Sequence, residues 1–299
     1  MYSDINIKKK SFSLSSRHYF NHIEYSSWPF YISLWTGLMV FFFLLYVNKY
    51  SSIRPYFLLF FFCIVFLQIE SWNSDIIIES TFFGRYNKKI YSTLVIGFFL
   101  FLASEVMLFG GFFWTFFDRI FFLNLYMDNI SRLVPFSHIW ATVDWYRLPV
   151  LGTLLLVSSG YACNVGYYSL KLGIQDNSYI SFLAGIVLGL FFLIIQEFEY
   201  LEFKVTISDG VYSSLFFLLT GFHGMHVLVG ILMLSTQADR IWKNDFTAQR
   251  TTGLGFSVIY WHFVDIIWIF LFFFVYVFNN KKMSYILSNL NTDSFFFFF

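Results

Sequence analysis

Seven apolar runs constrain this chain more than any other feature in it. They cover about Pro29–Val47, Pro55–Trp72, Ser92–Phe117, Leu148–Leu170, Tyr179–Leu201, Gly210–Ser235 and Leu254–Phe278. A helix that crosses the hydrocarbon of a bilayer needs about 20 apolar residues, whereas strands of a membrane barrel would alternate. The runs are continuous, so the expected fold class is an all-α polytopic membrane protein with seven transmembrane helices. Of the 299 residues, 58% are hydrophobic and only 12% are charged, against about 25% charged in a soluble domain. The net charge of +1 argues against a nucleic-acid partner. Cys63 and Cys163 both fall inside apolar runs and read as small core residues.

The polar stretches set the expected organisation. Residues 1–27 form a polar N-terminal extension that holds Lys8, Lys9, Lys10 and Arg17 together with Asp4 and Glu24. It has no apolar core followed by a small-residue cleavage site, so no signal peptide is expected. Spans one and two occupy 28–72, a polar connection 73–91, and the remaining five spans 92–278, with an atypical loop at 118–147. Residues 279–299 form a C-terminal extension that ends in five Phe. With seven spans the termini lie on opposite sides. The N-terminal side carries 11 of the 19 Lys and Arg, which predicts that this side faces the interior compartment. The 45 Phe and 20 Tyr against 4 Pro follow AT-rich codon usage, as in many organelle genomes.

Ionisable groups inside the runs are the candidate functional residues, because burying them at bilayer depth is costly. Glu105 lies near the middle of the third run, with no base one helical turn away at 101, 102, 108 or 109. It must be protonated, paired across helices, or bonded to a head group or water. Three readings follow: a proton-relay acid, a lipid site, or a protonated glutamate tying two helices together. Gly110 and Gly111, close by, are small enough to let helices approach. His223 and His226 are three apart in the sixth run and share a helix face. They are either interhelical hydrogen-bonding groups or ligands to haem or metal, and a metal needs several converging ligands. His262 has Asp265 three residues on as an intrahelical partner. Glu197, Glu199 and Glu202 crowd the end of the fifth run, where Lys204 is a candidate partner for Glu199. Ser208 and Asp209 read as an N-cap for the next helix. Arg240 and Lys243 suit anionic lipid phosphates or follow from the orientation rule alone.

Several motifs resemble the cytochrome c oxidase subunit III family. The most specific are SEVMLFGGFFW at 104–114, ISDGV at 207–211, TGFHGMH at 220–226 and YWHFVDIIW at 260–268. Trp28-Pro29, WNSDIIIEST at 72–81 and QEFEY at 196–200 support them. They follow the family's order and spacing from Trp28 to Phe278. The resemblance implies a two-helix and a five-helix bundle around a V-shaped lipid cleft. It implies a non-redox subunit of the haem–copper terminal oxidase of the mitochondrial inner membrane, respiratory complex IV. That complex passes electrons from cytochrome c to oxygen and pumps protons. The chain itself would bind no haem or copper; subunit I, its direct partner, would carry haem and copper. Besides subunit I, other complex IV subunits and bound phospholipids are the implied partners. Its role would be to stabilise subunit I and to support proton uptake, without catalysing a step.

Carried over by motif, Glu105 is the family's buried acid. Trp72 and Glu79 lie near lipid head groups, and His226, Arg240 and Lys243 fall in a lipid-contact region. The chain also departs from the family. Ile78 stands where the family has Arg, which weakens one expected head-group contact. Arg85 and Tyr86 replace paired His, as do Tyr167 and Tyr168, and Gly255 replaces an acid. Residues 122–136 replace a Pro-rich segment. Three other functions fit parts of the sequence: a quinol-oxidase version of the same subunit, a haem carrier using His223, His226 and His262, and a transporter built on Glu105.

Overall fold

The computed structural model describes residues 26–48, 55–82, 86, 88–126, 146–203, 206–208, 211–247 and 251–277. Seven helices in it are long and apolar enough to cross a membrane. They are α1 (Trp28–Val47), α2 (Pro55–Ile77), α3 (Lys88–Tyr126), α4 (Leu148–Lys171), α5 (Gln175–Glu202), α6 (Val211–Trp242) and α7 (Thr252–Leu271). No strand occurs among the described residues. α2 and α7 each end in a π-helical turn, Ile78–Phe82 and Phe272–Val277. The chain divides into two compact units at Ile96/Gly97.

In the first unit α1 begins at Trp28, with Pro29 in its opening turn, where the missing N–H costs nothing. It ends at Asn48, whose backbone and side-chain nitrogens both donate to the Leu44 carbonyl. α1 and α2 pack through aromatic rings: Phe42 stacks on Phe61 at 5.0 Å, and Trp35 lies 6.1 Å from Phe61. Phe61 and Val65 are buried. Trp28 Nε1 donates to Asp75 Oδ2 at 2.7 Å and ties the start of α1 to the end of α2. Cys63 is exposed on α2 rather than in a core.

The second unit is built on close helix approach. Gly173, at φ +83°, lets the chain turn from α4 into α5 within three residues. Its N–H donates to Leu170 O and the Ile174 N–H to Ser169 O, closing the end of α4. Asn244, at φ 60°, plays the same part after α6, with Asn244 N–H on Ile241 O and Asp245 N–H on Arg240 O. The core gathers Trp261 and Trp268 of α7, Phe216, Leu219 and Val227 of α6, and Phe182 and Phe192 of α5. Gly189 of α5 and Gly230 of α6 make room for the Trp261 ring; a Cβ at either would stand 2.7 Å from it.

The helices outrun the hydropathy. α2 continues past Trp72 through the polar Asn73, Ser74 and Asp75, so much of 73–91 is helical. α6 runs on from Ser235 to Trp242 because Ala238 and Ile241 still face the core. Hydropathy marks the length that lipid touches, whereas backbone hydrogen bonding and packing decide where a helix stops. Gly110 and Gly111 differ from expectation: a Cβ at either would meet nothing within 4 Å. Lys204 and Asp209 lie outside the described residues.

Candidate functional site

The isolated acid of α3 has a partner on α6. His226 Nε2 lies 2.8 Å from Glu105 Oε2, across 121 sequence positions. Both side chains are largely buried, at 10% and 19% exposure. Phe109, four residues after Glu105, presents its ring edge-on to the imidazole at 5.1 Å. The other ring nitrogen, Nδ1, lies 2.7 Å from the Phe222 carbonyl. A carbonyl only accepts, so Nδ1 carries hydrogen. One proton then lies between Nε2 and Oε2. Whether it sits on the imidazole or on the carboxyl, the pair has no net charge. That is how two ionisable groups come to be tolerated at this depth.

His223 turns to different partners. It is fully buried, and its Nε2 donates to the Val264 carbonyl of α7 at 3.2 Å. Its ring packs on Trp268 at 5.1 Å and on Phe192 at 5.6 Å. The two histidines share a stretch of α6 but not a ligand position.

His262 of α7 donates from Nε2 to Asn164 Oδ1 of α4 at 2.9 Å. Its Nδ1 faces Asp265 Oδ2 at 3.5 Å, a longer contact than the one to Asn164. Gly160 of α4 allows this, because a Cβ there would collide with the Asp265 carboxylate. Next to this cluster, Trp261 Nε1 donates to Ser159 Oγ at 2.9 Å, and Ser159 Oγ in turn to Leu156 O. Asn164 and Ser159 are partners that sequence reasoning missed. A lone Asn or Ser in an apolar helix carries no sign of what it will meet.

At the end of α5 only Glu199 of the three acids is buried; Glu197 and Glu202 are exposed. Gln196 Nε2 donates to Glu199 Oε2 at 3.2 Å. Nearby, Tyr200 bonds Thr220 at 2.7 Å. Because the Thr220 hydroxyl donates to Phe216 O, Tyr200 is the donor.

The basic residues after α6 are engaged. The Arg240 guanidinium stands 4.2 Å over the Phe246 ring and donates to Gln237 Oε1 at 3.3 Å. Lys243 pairs with Asp239 one turn back. Trp72 and Glu79 lie in the first unit, Trp72 near the end of α2 and Glu79 in the π-helical turn after it. The structure therefore joins Glu105 with His226 and His262 with Asp265, while within the second unit His223 turns to Val264, Arg240 to Gln237 and Lys243 to Asp239. Among the described residues, no three His, Cys, Asp or Glu side chains gather as a metal site would need. Two departures from the family pattern meet: Tyr167 of α4 stands with its hydroxyl 3.7 Å from the Cβ position of Gly255 on α7. An aromatic-on-glycine contact occupies the place where the resemblance would put a histidine and an acid.

The comparisons with known proteins agree with this architecture. The chain is 33% identical over 269 residues to cytochrome c oxidase subunit 3 of Marchantia polymorpha, covering 88% of this chain and 98% of that protein. It is 32% identical over 265 residues to the subunit 3 of Chondrus crispus, covering 87% and 94%. It is 37% identical over 215 residues to that of Loxodonta africana, covering 70% and 79%. The family model for cytochrome c oxidase subunit III matches residues 18–280. The chain belongs to the cytochrome c oxidase subunit III family.

Proposed function

We propose that this chain is the non-redox subunit III of a mitochondrial cytochrome c oxidase, multi-pass in the inner membrane with its N-terminus on the matrix side. It packs on subunit I, which holds haem and copper, and works alongside the other subunits of complex IV. It stabilises that catalytic core, holds phospholipids and supports proton uptake, while electrons pass from cytochrome c to oxygen elsewhere in the complex. The Glu105–His226 pair carries this reading. An acid and a histidine that neutralise each other between α3 and α6 suit a scaffold at bilayer depth. His262 is likewise engaged by Asn164, which disfavours a haem carrier built on these rings. The apolar groove between α1 and α2, lined by Met39, Val40, Phe43, Leu58, Leu59 and Phe62, fits an acyl chain. Trp72, Glu79, Arg240 and Lys243 then serve head groups.

The test is native purification. Haem and copper should accompany the chain through subunit I and be absent from the chain alone. A Glu105→Ala oxidase should lose bound phospholipid and inactivate faster during turnover. Unchanged lipid content and unchanged turnover lifetime would overturn the proposed role. A quinol-type oxidase would be recognised by its electron donor in the same preparation.

A further inference from the structure

Two outward faces of the second unit are both largely apolar, but only that of α4 carries a polar pair, Asn164 with His262. The outer face of α5 presents Ile180, Val187, Phe191, Ile194 and Phe198, all apolar and 47–63% exposed. The outer face of α4 presents Leu154, Val157, Tyr161 and Val165, 38–72% exposed, and beside them the half-buried Asn164, one turn after Tyr161. Asn164 Oδ1 accepts from His262, whose side chain is 36% exposed. Asn164 is half-buried, and its amide nitrogen makes no hydrogen bond among the described residues. At 1.5 Å per residue, Asn164 lies about 7 Å from the midpoint of α4, well inside a hydrocarbon layer of about 30 Å. N–H donors at that depth are not left facing lipid.

We propose that the α4 face around Tyr161, Asn164 and His262 is covered by a transmembrane helix of a partner subunit. That helix presents an acceptor oxygen, from a hydroxyl, amide or carboxyl side chain, to the Asn164 amide. The α5 face stays against lipid. A polar group buried between helices is glue for association in a membrane, where apolar contact alone gives little selectivity. The proposal rests on the reading of the chain as one subunit of an oxidase.

The experiment uses a photoactivatable phospholipid, applied to the native complex and to the isolated full chain. In the complex, Val187, Phe191 and Ile194 should be labelled and Tyr161 and Asn164 should not. In the isolated chain, label should appear at 161–164 at the level of the α5 face. Equal labelling of both faces in the complex overturns the proposal. So does absence of label at 161–164 in both states, since this chain itself would then cover the face. In a second arm, Asn164→Leu should weaken retention of the chain in the complex about tenfold. Val187→Leu should leave retention unchanged. Wild-type retention of Asn164→Leu would remove the acceptor contact from the proposal. If no haem-bearing partner co-purifies at all, it is the oxidase reading that fails, and that result is visible before any labelling.

Discussion

The indole of Trp261 lies directly against Gly230: a methyl group at position 230 would stand 2.7 Å from the ring. α6 and α7 approach each other around this contact, and Gly189 receives the same indole from α5. One aromatic side chain thus sits among three helices, held by a hydrogen bond to a fourth through Ser159.

We predict that Gly230→Ala destabilises the chain by about 1–3 kcal/mol through overpacking. A Cβ at Gly224, six residues earlier on α6, would meet nothing within 4 Å. Gly224→Ala should be neutral or stabilising, since alanine is favoured over glycine in a helix by about 1 kcal/mol. Unfolding in mixed detergent micelles measures both. Equal effects at the two positions would refute the contact.

The Glu105–His226 pair predicts a coupled response. His226→Leu should cost on the order of 3 kcal/mol, because it leaves a carboxyl group unpaired among apolar helices. Glu105→Leu should cost a similar amount by orphaning the imidazole. The double variant should recover most of the loss. A double-mutant cycle by thermal unfolding decides this, and strictly additive losses would mean the pair contributes nothing.

Ser159→Ala should cost about 1–3 kcal/mol by leaving the buried Trp261 N–H without an acceptor. The same change made in a Trp261→Phe background should be close to neutral. Equal costs in both backgrounds would place the effect of Ser159 elsewhere.

In the first unit, Trp28→Phe removes the hydrogen bond from Trp28 Nε1 to Asp75 Oδ2 that joins α1 to the end of α2. We expect the α1–α2 pair to weaken by about 1 kcal/mol. Faster amide exchange in the first turn of α1 would register it. Asp75→Asn, which keeps an acceptor oxygen, should preserve most of the protection. Loss of protection in both variants alike would point to charge rather than to the hydrogen bond.

The seven helices were legible because hydropathy is a local property, and each run satisfies it without help from its neighbours. Helix ends were less so. α2 passes through Asn73, Ser74 and Asp75, residues that lower hydropathy without breaking a helix. Gly110 and Gly111 had the composition of a packing site and face open space, while Gly189 and Gly230 form the tight contacts. A glycine in the sequence does not say which way its helix is turned.

The chain's own residues determined that Glu105 is a problem to be solved, since no base lies one turn from it. They could not name the solution. His226 lies 121 positions away, and only the packing of α3 on α6 brings the two within 2.8 Å. Likewise His262 had an evident neighbour in Asp265, yet its shorter bond goes to Asn164 on α4. Spacing along one helix is read from order alone, because the 3.6-residue repeat is fixed by the backbone. Contact between helices depends on how each is rotated and where each crosses its neighbours. That is decided by all their side chains at once, and so by the tertiary structure.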